Sequence, residues 1–394
     1  MKNKKRWLSL VLAAAMAATA LTGCGKSSDD KSDSAGSDSK AEVFKIGGIG
    51  PITGDNAIYG KAVQNGIELA VKEINEAGGI NGYQVETKFE DDESDPEKAV
   101  NAYNTLKDWG MQMLTGTVTS GPCEAVVSET YNDNMFQITP SGTSVNSVQY
   151  ENAFRMCFSD PAQGTVSAQY IADHNLATKI AVIYNSSDTY SSGIYQNFAA
   201  EAKNQGLELV AEEAFTSESN KDFSVQLQKA KDSGAELVFL PIYYTEASLI
   251  LTQAAGMGYE PQFFGCDGLD GLLAVDGFDT ALAEGVMLLT PFAADAEDEA
   301  TQTFVANYEE QFGDTPNQFA ADAYDGMYIS KAAAEQAGIT PDMDASAICD
   351  AMKVAMTEIT VDGLTGSGIT WTADGEPNKE PKAVMIENGA YTAM

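Results

Sequence analysis

Two short hydroxyl-rich loops hold the polar chemistry most easily read from this chain: Thr117-Val118-Thr119-Ser120-Gly121 and Ser141-Gly142-Thr143-Ser144. Each follows a short apolar run, and each offers hydroxyls and backbone N–H groups at a predicted helix start. That arrangement suits a bound carboxylate, because unpaired N–H groups and the helix dipole both favour negative charge. Taken singly, the same residues read equally as helix N-caps. Asp267, in Phe264-Gly265-Cys266-Asp267-Gly268, follows another apolar run. Before glycine it reads as a turn residue; inside a closing site, a carboxylate is the expected partner of a buried cation.

Bond-making chemistry finds less support. His174 is the only histidine, so any Ser–His or Cys–His pair would depend on it. It lies in Ala172-Asp173-His174-Asn175, a predicted helix end, where complementing the helix dipole is the plain role. No Gly-x-Ser-x-Gly elbow and no Walker lysine motif occurs. The glycines from Gly48 to Gly54 miss the spacing of a dinucleotide fingerprint, and Asp276-Gly277 fails that of an EF-hand. No two of the many carboxylates stand out as a glycosidase pair. Cys123, Cys157, Cys266 and Cys349 match no zinc pattern and fit either free thiols or one or two disulfides. The expectation is no catalytic residue, no metal and no cofactor.

Loops of this kind need a rigid frame, and the chain has the pattern of one. From Ile46 an apolar strand runs into a Gly-rich turn and then a helix with Val63, Ile67, Ala70, Val71 and Ile74 on one face. Gly78-Gly79 ends that helix, since glycine accepts left-handed stop geometry. Asn81-Gly82 predicts a turn, and Val85–Asp91 the next strand. Asp95-Pro96 predicts a capped helix start and Gly110 the stop. A strand is expected at Met111–Leu114, a helix from about Cys123 and a strand at Phe136–Thr139. A second series begins near Asp160, with strands at Ile180–Tyr184, Leu207–Ala211, Leu237–Leu240, Gln262–Gly265 and Val286–Thr290. Strict alternation of β and α implies parallel sheets covered by helices on both faces. In such sheets ligands sit beyond the carboxyl ends of the strands, where both hydroxyl-rich loops fall.

The N-terminus and the composition define the surroundings. Lys2, Lys4, Lys5 and Arg6 precede an apolar stretch, Trp7–Leu21, that is short for a membrane span. Leu21-Thr22-Gly23-Cys24 resembles a bacterial lipobox, which implies a signal peptide over residues 1–23 and a lipid thioether on Cys24. Residues 24–42 hold too few apolar groups to offset the entropy of ordering, so a disordered tether is expected. About 350 residues follow, more than one core usually serves, which predicts two domains. Net charge is −35, and it becomes more negative when the leader is lost. So acidic a chain argues against nucleic acid as a partner and leaves lipid on Cys24 as the membrane attachment.

From Val43 to its C-terminus the chain resembles the branched-chain amino-acid-binding proteins of ABC transporters, the Leu/Ile/Val-binding family with the type 1 periplasmic-binding fold. The likeness rests on the opening Ile46–Asp92, on FRMCFSDPAQG at Phe154–Gly164, on LVFLPIYYTEASLILTQAAGMGY at Leu237–Tyr259 and on ITWTADGEP at Ile369–Pro377. It implies an α/β fold of two discontinuous Rossmann-like lobes, with parallel sheets joined by a three-strand hinge. Residues 43–159 plus 291–363 would form lobe 1 and residues 160–290 plus 364–394 lobe 2, with crossings near Ser159, Thr290 and Gly363. The implied activity is capture rather than catalysis: hinge closure on an amino acid, branched-chain or related, and delivery to an ABC permease. A ligand-sensing receptor of the same fold is the alternative.

The resemblance further implies that Ser120 and Thr143 hold the ligand carboxylate. The Ser141 carbonyl and Asp267 would take the ammonium, and Tyr59, Val118, Thr119, Tyr190, Tyr243 and Phe319 would shape the pocket or its lid. This chain departs from the family pattern in three places. Ser191 follows Tyr190 where glycine is usual, Cys266 replaces a smaller residue, and Ser94 and Thr119 occupy the positions of a disulfide that some relatives carry. A monomer on the outer face of the cytoplasmic membrane, held by lipid on Cys24, completes the expectation.

Overall fold

The computed structural model describes residues 42–394; the leader, Cys24 and nearly all of the tether lie outside the described residues. The first sheet contains β1 (Phe44–Gly50), β2 (Val85–Asp91), β3 (Met113–Gly116), β4 (Phe136–Thr139) and β5 (Ala153–Arg155). They run in the order β2-β1-β3-β4-β5, all parallel. Helices α1 (Ala57–Glu76), α2 (Pro96–Trp109) and α3 (Ser120–Asn132) connect them. Central strands of a parallel sheet are buried on both faces, and β1 shows why this one is: Phe44 and Ile46 pack with α1, while Ile49 packs with residues of α2 and α3.

Local chemistry sets the helix ends. The Asp95 side chain accepts from the N–H groups of Glu97 and Lys98, and Pro96 takes the first helical position of α2. At its other end Gly110 is left-handed (φ 90°) and Met111 N donates to Leu106 O. Met111 therefore completes the helix stop, and β3 starts at Met113, two residues later than the apolar run suggested. The next helix moves the other way, beginning at Ser120 rather than Cys123. Thr119 is extended at the cap, and Pro122 sits in a first turn whose N–H groups have no helical partner to lose.

The second sheet contains β6 (Lys179–Asn185), β7 (Glu208–Phe215), β8 (Leu237–Leu240), β9 (Gln262–Gly265) and β10 (Met287–Thr290), with α4 (Asp160–Asp173), α5 (Thr189–Gln205), α6 (Ser224–Asp232) and α7 (Tyr244–Gly256) over its faces. In β8, Leu237 and Phe239 pack in the cluster of α4 and α5, and Val238 and Leu240 pack with α6 and α7. This sheet is not parallel throughout. Its order is β14-β13-β10-β9-β8-β6-β7, and β13 (Lys382–Glu387) pairs antiparallel with both β10 and β14 (Ala390–Ala393). The Asn388-Gly389 turn, with both residues at positive φ, joins β13 to β14 directly, and so short a connection permits only an antiparallel pair.

Between β10 and β13 the chain returns to the first sheet. There α8 (Glu299–Phe312), α9 (Gln318–Ala337) and α10 (Ala345–Met356) add to its helical layers, followed by the hairpin β11 (Val361–Gly363) and β12 (Gly366–Ile369). Helix α9 lies so close along α1 that a Cβ on Gly66 would stand 2.3 Å from the Ala320 carbonyl oxygen. The chain thus passes between the sheets three times. The last passage comes later than Gly363, because residues 364–378 bond to the first-sheet side. The amides of Leu364 and Thr365 donate to Asp325, Trp371 Nε1 donates to the Arg155 carbonyl at 2.9 Å, and Arg155 N donates to Gly375 O. A buried ion pair, Lys379 Nζ to Asp322 Oδ1 at 2.7 Å, fixes the chain just before β13.

Candidate functional site

The carboxyl ends of β3 and β4 open into the two hydroxyl-rich loops, and tight local bonding holds these loops together. Ser120 Oγ lies 3.3 Å from Thr143 Oγ1 and accepts from Ser144 N at 3.2 Å. The Ser141 hydroxyl donates to Val118 O at 2.7 Å. Gly142 cannot be otherwise: a Cβ there would come within 2.8 Å of Thr139 Oγ1 and 2.9 Å of Cys123 Sγ. Thr119 Oγ1 donates to Ser94 Oγ at 3.2 Å, which ties this loop to the turn after β2.

Across from these loops, β9 delivers Asp267 at the start of a short 3-10 turn, with its carboxylate 4 % exposed. Tyr190 Oη donates to Asp267 Oδ1 at 2.7 Å and accepts from Gly268 N at 2.9 Å. Burial pushes the Asp267 carboxyl up to about 7, against the opposing pull of the Tyr190 and Gln163 hydrogen bonds. A cation brought against it would restore the ionised form. Asp160, the first residue of α4, is a second buried acid, its carboxyl pushed up by burial and its Oδ1 without a hydrogen-bond partner.

Aromatic rings fill the space between. Tyr59 lies 4.3 Å from Phe319 and 5.7 Å from Tyr243, centroid to centroid, and Tyr190 stacks on Tyr243 at 4.8 Å. Tyr59, Val118, Thr119, Ser120, Ser141, Tyr190, Tyr243, Asp267 and Phe319 line one small cavity together with Gly268. Thr143 stands just behind this wall, reaching it through Ser120.

The sheets face each other closed. Tyr59 Oη donates to Gly268 O at 2.5 Å and accepts from Tyr244 N at 3.2 Å, while Ile58 N donates to Tyr244 Oη. On the far rim Thr189 Oγ1 donates to Glu124 Oε1 at 3.0 Å. Beside the cavity, Gln318 at the start of α9 donates N–H to Asp270 Oδ2 and Nε2–H to Asp267 O.

Sequence reasoning missed Gly268, Tyr244, Glu124, Thr189, Asp160 and Asp270. Of these only Asp160-Pro161 carried a local signal, that of a helix start. The two departures in lobe 2 have physical reasons. Ser191 uses its hydroxyl to accept from Asn185 N at 2.8 Å, a bond glycine cannot make. The Cys266 side chain turns into the second sheet's core, 3.7 Å from Ser167 Oγ, and leaves the cavity wall to its neighbours.

The four described cysteines are free and buried, and burial raises each thiol, Cys349 to about 12. His174 caps α4, its Nδ1 3.0 Å from Tyr170 O and its ring stacked on Tyr170. Among the described residues no three His, Cys, Asp or Glu side chains gather as a metal set, and no helix is long and apolar enough to cross a membrane.

Comparison with known proteins gives the same picture at the level of the whole chain. The family described as periplasmic binding protein matches residues 43–390. The Leu/Ile/Val-binding protein homolog 1 of Brucella abortus (strain 2308) is 33% identical over 354 residues, 87% of this chain and 90% of that one. The leucine-, isoleucine-, valine-, threonine-, and alanine-binding protein of Pseudomonas aeruginosa is 28% identical over 300 residues, 76% of this chain and 79% of that one. Among solved structures, the branched-chain amino acid transporter substrate binding protein LivJ of Streptococcus pneumoniae, in complex with isoleucine, superposes with a TM-score of 0.80. It is 29% identical, over 89% of this chain and 98% of that one.

Proposed function

The chain belongs to the periplasmic binding protein family, and from that premise we propose that it is the substrate-binding protein of an ABC importer for an α-amino acid, branched-chain or closely related. One observation carries the reading: across a single cavity, hydroxyl and N–H donors of one lobe face a desolvated carboxylate of the other. Ser120 and Thr143 take the ligand carboxylate, and Asp267 with the Ser141 carbonyl takes the ammonium. Tyr59, Val118, Thr119, Tyr190, Tyr243 and Phe319 enclose the side chain. Relatives named for leucine, isoleucine and valine support the ligand class.

The mechanism is hinge closure. Lobe 1 comprises residues 43–159 and 291–363, extended by the bonds of residues 364–378; lobe 2 comprises residues 160–290 and the β13-β14 hairpin. Ligand bound first to lobe 1 draws Asp267 across, and the bonds of Tyr59, Glu124 and Asp270 to the opposite lobe form with it. The permease then receives the closed form. Lipid on Cys24 holds the protein, as a monomer, on the outer face of the cytoplasmic membrane.

A thermal-shift screen of amino acids tests the ligand class: one present at 100 times its Kd adds about 2.7 kcal/mol of stability. Small-angle scattering should show a smaller radius of gyration with that ligand, and unchanged scattering at saturation would count against a hinge trap. Cys24→Ala should abolish labelling by a fatty acid and leave the fold intact; a labelled variant would remove the anchor from the proposal.

A further inference from the structure

Behind the first lobe's binding loop lies a cation that is absent from the cavity wall. Arg155 ends β5 with its side chain 0 % exposed. Its Nη1 donates to the carbonyls of Gly142 (3.0 Å) and Thr143 (2.6 Å), its Nη2 lies 3.0 Å from Glu376 Oε1, and its Nε has no hydrogen-bond partner. Glu376 is 39 % exposed, so its charge is partly screened by solvent. Asp160, the other acid that feels this charge, is itself pushed up by burial. A guanidinium taken out of water with so little compensation is costly unless its surroundings use it.

Its geometry says how they use it. A trans peptide points its C=O and N–H in opposite directions. Drawing the Gly142 and Thr143 carbonyls back to Arg155 therefore turns the N–H groups of Thr143 and Ser144 the other way. Ser144 N indeed points at Ser120 Oγ, 3.2 Å away on the cavity wall. Hydrogen bonds in a chain polarise one another, so a charged donor on the carbonyl strengthens the N–H at the far side of the same peptide.

We infer that Arg155 is a positioning residue for a ligand carboxylate: it aims the Thr143 N–H, polarises the Ser144 N–H that donates to Ser120 Oγ, and lays positive potential behind both, opposite Asp267. The cleft then has a positive end in place before any ligand enters and, opposite it, a carboxylate that an arriving ammonium ionises, which selects a zwitterion over a simple amine or a simple acid. This rests on the amino-acid reading above.

The test uses leucine and leucinamide, which share an ammonium and a side chain but differ in the carboxylate charge. Calorimetry on R155Q should show affinity for leucine falling at least about tenfold more than for leucinamide, tenfold being ~1.4 kcal/mol. R155K, which keeps the charge, should recover part of that difference. Equal losses for the two ligands would overturn the inference and leave Arg155 a packing residue, because general loosening of the fold weakens both alike. Where leucinamide binds too weakly to titrate, leucine affinity decides: R155K no better than R155Q overturns the inference, and rescue supports it. D267N should weaken both ligands together. Wild-type protein that binds neither would instead remove the amino-acid reading, and the inference with it.

Discussion

The two walls of the cleft solve opposite problems. On the first, Ser120, Ser141 and Thr143 form a preassembled set of neutral groups, hydrogen-bonded to one another and backed by Arg155. On the second, Asp267 is a lone carboxylate held against aromatic rings, its ionised form disfavoured by burial. Neutral donors can wait in a fixed array at little cost, because each is already paired. A desolvated acid cannot, and it becomes favourable only when a cation arrives. In the proposed role the first wall supplies orientation, and the second makes stable closure depend on what has been captured.

Breaking the second wall should have the larger effect. Asp267→Ala removes one member of a buried, charge-assisted pair and should cost about 2–5 kcal/mol in binding an amino acid, roughly 30- to several thousand-fold. Calorimetry showing wild-type affinity would mean that the ligand lacks an amine or that the cleft lies elsewhere. Ser120→Ala strips one hydroxyl from the first wall but leaves the backbone N–H groups, and should cost about 1.5–3 kcal/mol. A loss exceeding that of Asp267→Ala would reverse the roles of the walls.

Acid should reproduce part of the first variant. The Asp267 carboxyl titrates near 7 in the ligand-free protein and must be ionised to meet an ammonium. Affinity should therefore fall as pH drops through 7, by up to about tenfold per unit, with proton release on binding measurable in buffers of different ionisation enthalpy. Stability without ligand runs the other way. The folded-state value lies above the ordinary 3.8, so this group's contribution is fully present below about 4 and lost as pH rises through 7. Asp267→Asn should accordingly melt higher than wild type above pH 7, and a lower melting temperature there would refute the desolvation account.

The smallest effect on binding should come from stiffening the wall that is already stiff. Replacing the Thr119–Ser94 hydrogen bond with a cross-link, S94C with T119C, should raise stability by about 3.5 kcal/mol for a loop of this length and change affinity less than Ser120→Ala does, Thr119 being one of several residues on the cavity wall. A loss that exceeds the loss from Ser120→Ala and disappears when the cross-link is reduced would show that the first wall moves during capture.

Which parts of this were legible beforehand follows from range of action. Strand β8 could be bounded to the residue because burial on both faces demands an unbroken apolar run, and β4 and β9 match that pattern closely, β4 interrupted by Gln137 and β9 opening on the exposed Gln262. The start of β3 was not, since Met111 is as apolar as its neighbours yet belongs to the helix stop of α2. Seven of the site residues came from resemblance more than from local chemistry: Asp267 before glycine is an ordinary turn, and Tyr59 an ordinary helix tyrosine until Phe319, 260 positions on, packs against it at 4.3 Å. Arg155, Glu124 and Asp270 had no signal at all. Their meaning lies in partners, such as the Gly142 carbonyl or the Gln318 amide, that only the folded chain supplies. The return of residues 364–378 to the first sheet side was hidden for the same reason, resting on Asp325 and Arg155.

The four sheltered thiols have a practical corollary. Nucleophilic attack needs the thiolate, and Cys123, Cys157, Cys266 and Cys349 are both inaccessible and held protonated. Toward maleimides and spin labels the folded lobes are thus a dark background. One reporter cysteine introduced on the rim of each lobe would light up alone, letting the opening and shutting of the cleft be timed without first stripping the native sulfur from its core.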